Sequence, residues 1–174
     1  MHFYYGSRPK WNARKVEKKQ FGGLHDGHVS LQIGDSVFSF RKRGKIHVFP
    51  HRKGYHSKWE NLPLEIWMKD TAKAKYCTFI IVIPRVQYGL LKEIQSHYSY
   101  CDPYDYAYFG MRCASSAYDV LAQIHVLKKR SQESIIIHNF YPQRLRLKLF
   151  RASQINHWEV VTHQGSSLRR WESR

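Results

Sequence analysis

Cysteine is scarce in this chain, whose 174 residues contain only three. This number argues against a disulfide framework as the basis of the fold. Cys77 lies in an apolar run and is expected to be a buried structural thiol. Cys101 precedes Asp102-Pro103, a turn signal, and is expected to be a free thiol. Cys113 is left as the cysteine that merits a chemical interpretation.

Long hydrophobic runs are also missing. A membrane-spanning helix needs about 20 consecutive apolar residues, whereas the longest apolar run, residues 79–83, has the length of a strand. The first residues lack the basic start and apolar stretch of a signal peptide. We therefore expect no transmembrane segment. The protein is expected in the cytoplasm if the sequence is complete, or exported if a leader was removed.

Acidic residues are few: 13 aspartates and glutamates stand against 29 lysines and arginines, a formal net charge of +16. The basic residues are spread along the chain rather than confined to one tail. Such a field attracts nucleic acid, anionic lipid headgroups or acidic cell-wall polymers. A solvated basic surface that serves solubility is an equal alternative. No zinc-finger, Walker or dinucleotide-binding motif occurs, so the charge predicts an anionic partner without naming it.

The remaining composition is that of a folded domain. Hydrophobic residues make up 43% and aromatic residues 15% of the chain, too many for a disordered tail. The length suits one domain, and no internal repeat stands out. We expect residues 1–20 to form a basic lead-in, partly helical, and residues 21–174 to form a single domain.

Strand patterns cluster early in the chain. Residues 28–33 alternate between polar and apolar, and Gly34-Asp35-Ser36 predicts a hairpin turn into a partner strand over residues 37–41. Residues 46–49 predict a third strand that stops at Pro50. Residues 51–75 are polar and predict a loop, and residues 76–83 predict a buried strand.

Helical patterns cluster late, so the predicted fold class is α+β. The apolar spacing predicts helices over residues 86–98 and from Cys113 to about residue 130. Residues 141–149 predict a further helix with Pro142 in its first turn. Residues 134–137 are short and apolar, and residues 158–165 predict a final strand.

Cys113 follows an aromatic, irregular segment, residues 104–112, which we call the aromatic approach, and it begins a predicted helix. A cysteine in the first turn of a helix feels the positive end of the helix dipole and the unpaired backbone N–H groups, which favour the thiolate. Such a thiol needs a nearby base to become a nucleophile. His28, which opens an alternating strand, is a candidate base. A purely structural role, in which Cys113 packs in the core, is an equal alternative to a catalytic one.

The histidines do not indicate a metal site. His25, His28, His47, His51 and His56 lie within a short stretch, but neither Cys-x-x-Cys nor His-Glu-x-x-His spacing occurs. Scattered surface histidines are the simpler interpretation. We therefore expect neither a metal nor another cofactor.

The order of these parts resembles the circularly permuted papain-like fold, which includes permuted NlpC/P60-type hydrolases and lecithin:retinol acyltransferase-like proteins. The resemblance depends on Gly27-His28-Val29-Ser30-Leu31-Gln32-Ile33-Gly34-Asp35 as the histidine strand and hairpin. It depends also on Arg112-Cys113 with the helix that follows, and on Phe140-Tyr141-Pro142 before a later helix. Together these parts cover about two-thirds of the chain. The implied architecture is an antiparallel meander packed against a helix that carries the nucleophile at its start.

The resemblance implies a cysteine amidase, peptidase or acyltransferase with a Cys–His mechanism. His28 would face the start of the Cys113 helix, accept the thiol proton and later protonate the leaving group. The thiolate would attack an amide or ester carbonyl to give an acyl-enzyme, and the Cys113 backbone N–H would stabilise the oxyanion. A cell-wall peptide and a lipid are both admissible substrates.

Two positions depart from the pattern that the resemblance implies. Counting from His28 places Phe40 where relatives carry a third polar residue, and phenylalanine cannot orient an imidazole. Ser39, which would face the opposite side from Phe40 in a regular strand, and His47 on the next strand are the alternatives. Arg112 replaces the Asn that often precedes the nucleophile. It is predicted either to hold the thiolate or an anionic substrate, or to point to solvent.

The aromatic approach leaves two alternatives open. Tyr106 and Tyr108, with Tyr104, either line a substrate groove beside Cys113 or pack the approach against the core. Likewise, two functions remain. Cys113 with His28 favours an enzyme, whereas Phe40 at the expected polar position favours a non-enzymatic basic module that binds nucleic acid or an anionic surface on a degenerate papain-like scaffold.

Overall fold

A six-stranded antiparallel sheet organises the part of the chain that the computed structural model describes, namely residues 1–4, 27–53, 55–72 and 74–165. The spatial order of the strands is β4-β3-β2-β1-β5-β6. In chain order the strands are β1 (His2–Tyr4), β2 (His28–Ile33), β3 (Ser36–Lys42), β4 (Ser57–Pro63), β5 (Tyr76–Ile80) and β6 (Glu159–His163).

Five helices accompany this sheet in the described residues, which confirms the α+β class. They are α1 (Leu64–Thr71), α2 (Arg85–Tyr100), α3 (Cys113–Gln123), α4 (Gln132–His138) and α5 (Pro142–Asn156). Each of these helices is too short or too polar to cross a lipid bilayer.

The predicted hairpin is present. β2 and β3 pair antiparallel in the register Leu31↔Phe38 and Ile33↔Ser36. Gly34 takes a φ of +59° in the turn, a value that glycine adopts without the cost other residues incur. The Ser36 hydroxyl donates a hydrogen bond of 3.1 Å to the Ile33 carbonyl and supports the turn.

The third strand of the meander lies elsewhere than predicted. Residues 46–49 form no strand, apart from one isolated bridge between His47 and Ala107. The strand that pairs with β3 is β4, within the segment predicted to be a loop. The prediction failed because β4 is an edge strand: Trp59 faces the core while charged and polar residues alternate with it, as edges often require.

The later elements follow the predictions with shifted bounds. The helix over residues 86–98 is present as α2, and the proline-started helix is α5, with Pro142 as its first residue. α3 ends at Gln123 rather than near residue 130, since the chain turns at His125, whose φ is 59°. The short apolar run over residues 134–137 belongs to α4, and the final predicted strand is β6.

The first residues of the chain take part in the sheet. β1 pairs with β2 on one side and with β5 on the other, so His2–Tyr4 belong to the domain although they fall within the predicted lead-in. The rest of that lead-in, from residue 5 to residue 20, lies outside the described residues.

The sheet has two unequal faces. On the first, which we call the α3 face, Val29, Phe38 and Phe79 pack with Leu121 of α3 and Leu145 of α5 in the main core. The second, which we call the α1 face, carries a small cluster of Tyr4, Val37, Trp67 and Ala74 beneath α1. Because side chains alternate along a strand, each strand residue belongs to one of these faces only.

Candidate functional site

Cys113 is the first residue of α3, as predicted. Arg112 precedes it in extended conformation, and the Arg112 backbone N–H donates a hydrogen bond of 2.7 Å to the Ser115 hydroxyl. This contact satisfies a backbone donor at the helix start. The Cys113 sulfur therefore lies at the positive end of α3, where a negative charge is favoured.

Hydrogen-bond donors surround the sulfur. The backbone N–H groups of Val29 and Ala114, the hydroxyl of Tyr106 and the Arg112 charge lie near Sγ, and each of them favours the thiolate over the thiol. The thiol itself points toward the Gly27 carbonyl, with 4.0 Å between Sγ and the oxygen. Sγ thus lies against the backbone at the start of β2, on the α3 face.

Burial opposes ionisation of this thiol. Only 4% of Cys113 is exposed. Burial raises the pKa of the Cys113 thiol, and the hydrogen bonds from Val29, Tyr106 and Ala114, together with the Arg112 charge, offset that effect only in part. The resting site therefore holds a thiol that is surrounded by groups able to stabilise a thiolate.

His28 lies on the other face of the sheet. It is paired with Tyr4, and its ring stacks on the Tyr4 ring with 6.3 Å between centroids. Its Nε2 lies 3.1 Å from the Ser39 hydroxyl. Tyr4 belongs to the cluster beneath α1, whereas Cys113 and Val29 belong to the main core. The backbone of β2 therefore separates the imidazole from Sγ.

This arrangement corrects the expectation that His28 faces the start of α3. The residues of β2 and β3 that do face Cys113 are apolar: Val29, which follows His28, and Phe40, whose ring stacks on Tyr106 at 5.3 Å. Within the described residues, no imidazole hydrogen-bonds to Sγ.

The environment of His28 keeps its imidazole neutral. Burial, followed by the nearby Arg41 charge, lowers the pKa of His28 to about 3. Ser39 is buried and also accepts a hydrogen bond of 3.3 Å from Arg41 Nε, which in turn pairs with Glu60 at 3.1 Å. Ser39 faces away from Phe40, as predicted, and is the polar partner of His28. A catalytic role for either residue stays a prediction.

His47 is placed in a different cluster. Its Nδ1 lies 2.5 Å from Asp105 Oδ2. Its ring stacks on that of His51 with 3.7 Å between centroids, and the ring of His56 lies tilted against it at 3.9 Å. Asp105 also accepts backbone hydrogen bonds of 2.9 Å from His51 and from His56. Asp105 is a functional candidate that the sequence analysis missed, because its partners are more than 45 residues away in the chain.

The tyrosines of the aromatic approach differ in exposure: some pack against the core and one reaches the surface. Tyr106 is buried near the sulfur, and Tyr104 donates to Asp119 within a partly buried network. Tyr108 is 53% exposed. The Arg112 guanidinium lies over both the Tyr108 ring, at 5.6 Å, and the Phe140 ring, at 4.8 Å. Arg112 thus connects the start of α3 with the surface.

A groove opens beside Arg112. It has a volume of about 400 Å³ and is lined by apolar side chains and one guanidinium: Phe109, Ile136, Ile137, Phe140, Tyr141 and Arg144. Its lining combines an apolar wall with a cation, a pairing that suits an amphiphilic ligand carrying a negative charge. Among the described residues, no group of three or more histidines, cysteines and acidic residues is arranged to hold a metal ion.

Comparisons of the chain with protein-family models, with curated proteins and with solved structures found no match in any of the three.

Proposed function

We propose that this chain is a cysteine-dependent hydrolase or acyltransferase with Cys113 as the nucleophile, on a fold that resembles the permuted papain-like group. One observation carries the proposal. Sγ lies at the first position of α3, and donor groups on Val29, Tyr106 and Ala114 lie near it and favour the thiolate. Such donors stabilise a thiolate more than a thiol.

The reaction follows from the chemistry of the thiolate. Sγ attacks the carbonyl carbon of an amide or ester, a C–S bond forms, and the carbonyl oxygen becomes an oxyanion near the backbone N–H groups that begin α3. Collapse of this intermediate breaks the C–N or C–O bond; the amine or alcohol leaves with the proton that the thiol gave up, and an acyl-enzyme remains. Water then completes hydrolysis, or another nucleophile completes acyl transfer.

The mechanism needs a proton acceptor, because burial keeps Cys113 in the thiol form. The resemblance implies His28 for this role. In the described arrangement its imidazole lies on the α1 face. The proposal therefore requires a second arrangement of the start of β2, in which His28 faces Sγ.

The surface beside α3 suits an amphiphilic, anionic substrate. The apolar groove begins at Phe109 and Phe140, and Arg112 and Arg144 supply positive charge at its sides. A cell-wall peptide with carboxylates and a lipid with an anionic headgroup both meet these requirements.

Alkylation across a pH series tests the nucleophile. The folded protein is treated with iodoacetamide and the label is located by mass spectrometry, with exposed Cys101 and buried Cys77 as internal references. If His28 serves as the base, Cys113 reacts faster than Cys77, and His28→Ala removes the difference whereas His138→Ala, at an exposed histidine of α4, does not. Equal labelling of Cys113 and Cys77 would contradict the proposal.

An activated ester tests the covalent step. With p-nitrophenyl acetate, transfer of the acetyl group to Sγ releases p-nitrophenolate and leaves a thioester on the protein. We expect an acetyl adduct at Cys113 that is absent from Cys113→Ser. An adduct confined to lysines would count against thiol catalysis.

A second candidate function is favoured by the separation of His28 from Cys113. Val29 and Phe40 line the α3 face next to the sulfur, so no described histidine completes a dyad there. A non-enzymatic basic module that binds an anionic surface or nucleic acid would need no histidine beside Cys113, and so agrees with the apolar side chains on this face. It predicts that Cys113 stays inert over the whole pH series and that Cys113→Ala retains full binding.

A further inference from the structure

Two neighbouring loops expose a cluster of apolar side chains, which we call the two-loop patch: Val48, Phe49, Tyr108 and Phe109. These residues are 56%, 65%, 53% and 60% exposed. Single exposed apolar residues are common on soluble proteins, but a contiguous group marks an interaction site.

The two loops are held together by backbone contacts. The Tyr108 N–H donates to the His47 carbonyl at 2.8 Å, and the Phe109 N–H donates to the Val48 carbonyl at 2.9 Å. The rings of Phe49 and Phe109 stack with 5.4 Å between centroids. A Cβ added at Gly110 would lie 3.4 Å from Pro50 Cβ, which shows how closely the loops approach.

Asp105 anchors one of these loops to the domain. It receives the hydrogen bonds of the His51 and His56 backbones and of the His47 ring described above. Val48 and Phe49 lie between these anchored residues in the chain. The patch is therefore positioned before any partner arrives, which lowers the entropic cost of binding.

Basic side chains accompany the patch. Lys45, Arg52 and Lys53 are exposed in the loop that carries Phe49. Arg112 lies over the Tyr108 ring, and Arg144 lines the groove that begins at Phe109. Exposed aromatic and aliphatic tips flanked by lysine and arginine are the composition of surfaces that insert into the interface of an anionic membrane.

We propose that the two-loop patch docks this protein onto anionic lipid bilayers, with its apolar tips in the headgroup region and the neighbouring basic residues on the lipid charges. The apolar chemistry favours a bilayer over nucleic acid. Val48 offers no stacking surface for a base, and Phe49 and Phe109 already stack on each other. This inference does not depend on the chemistry of Cys113.

Vesicle co-sedimentation tests the docking. Vesicles of phosphatidylcholine with about one-third phosphatidylglycerol should bind the protein, and vesicles of phosphatidylcholine alone should bind it at least about tenfold more weakly. Phe49→Ser with Phe109→Ser should lower the partition coefficient by about tenfold, because two exposed rings lose their apolar contact with lipid. Equal binding to both kinds of vesicle would overturn the proposed charge preference.

Two control variants test whether binding depends on this patch or on exposed apolar surface and positive charge anywhere on the protein. Val82→Ser with Val86→Ser removes two apolar residues elsewhere that are even more exposed, 86% and 77%, and should leave partitioning unchanged. Arg52→Glu with Lys53→Glu should weaken binding by about tenfold or more, whereas Lys128→Glu with Lys129→Glu, which changes the net charge equally, should weaken it far less. Docking through this patch would be overturned if the Val82 and Val86 variant lost as much binding as the Phe49 and Phe109 variant. It would also be overturned if the two charge variants lost the same amount.

Two further outcomes would assign the patch to other partners. A dimer in size-exclusion chromatography that is dissociated by Phe49→Ser with Phe109→Ser would show that a second copy of the chain covers it. Tight binding of an oligonucleotide that is lost in the same variant would show a nucleic-acid surface. Either result, without vesicle binding by the unmodified protein, overturns the membrane proposal.

Discussion

The α3 face and the α1 face of the sheet show how one strand can separate two halves of an expected site. On the α3 face, Cys113 lies among apolar side chains with hydrogen-bond donors directed at its sulfur. On the α1 face, His28 lies with Ser39 beside Arg41. The Cys113 sulfur lies against the backbone on both sides of His28, near the Gly27 carbonyl and the Val29 N–H, yet the side chains of Cys113 and His28 occupy different environments. Proximity in a fold is therefore not sufficient for a shared reaction.

The largest expected contrast between the faces concerns stability. Phe79 is fully buried in the main core, so Phe79→Ala should lower the free energy of unfolding by about 4–5 kcal/mol. Trp67→Ala, in the smaller cluster beneath α1, should cost about 3 kcal/mol because fewer buried neighbours are left around the cavity. Urea denaturation measures both. A greater loss for Trp67→Ala would reverse the ranking of the two faces.

Acid sensitivity should come mainly from the α1 face. The folded pKa of His28, about 3, lies below its ordinary value of 6.5, so the unfolded chain binds a proton first as the pH falls. The stability associated with a neutral His28 is present above pH 6.5 and is lost as the pH falls toward 3. His28→Gln should flatten the loss of unfolding free energy over this range.

His2 provides the comparison for that experiment. It lies on the same face, and burial lowers its pKa to about 3 as well. His28→Gln alone should therefore remove only part of the pH dependence, and adding His2→Gln should remove more. An unchanged pH profile in the double variant would show that the α1 face does not govern acid sensitivity.

A smaller effect is expected from the hydroxyl that links the two strands on the α1 face. Ser39→Ala leaves His28 Nε2 and Arg41 Nε without this partner and should cost about 1–2 kcal/mol of unfolding free energy. Ser99→Ala, whose hydroxyl bonds only to the backbone of its own helix, should cost far less. Equal costs would argue that the His28–Ser39 contact contributes nothing specific.

The smallest effect is expected on the α3 face, at the sulfur. Tyr106→Phe removes a hydroxyl that lowers the pKa of Cys113, so the pKa of this thiol should rise further. The alkylation rate of Cys113 near neutral pH should fall about threefold to tenfold. Tyr118→Phe, whose hydroxyl bonds to the Lys128 carbonyl instead, is the matched control and should leave the rate unchanged.

Local patterns predicted most of the elements correctly. The β2–β3 hairpin, α2, the start of α3 and the proline-started α5 all follow from residues close together in the chain. β4 was missed because its pattern of one inward tryptophan among polar residues is that of a sheet edge, which resembles a loop when read alone. The clustering of His47 with Asp105 was equally hidden, because 58 residues separate the two.

What the sequence alone determined is the position of Cys113 at a helix start, the turn at Gly34 and the excess of positive charge, because each depends on neighbouring residues or on composition. Which face of the sheet each candidate side chain occupies was decided only by the tertiary structure. The register of β2 between β1 and β3 turns His28 toward α1, and the packing of α3 holds Sγ on the opposite side. Both depend on contacts between distant parts of the chain, because a shift of one residue in register would exchange the two faces.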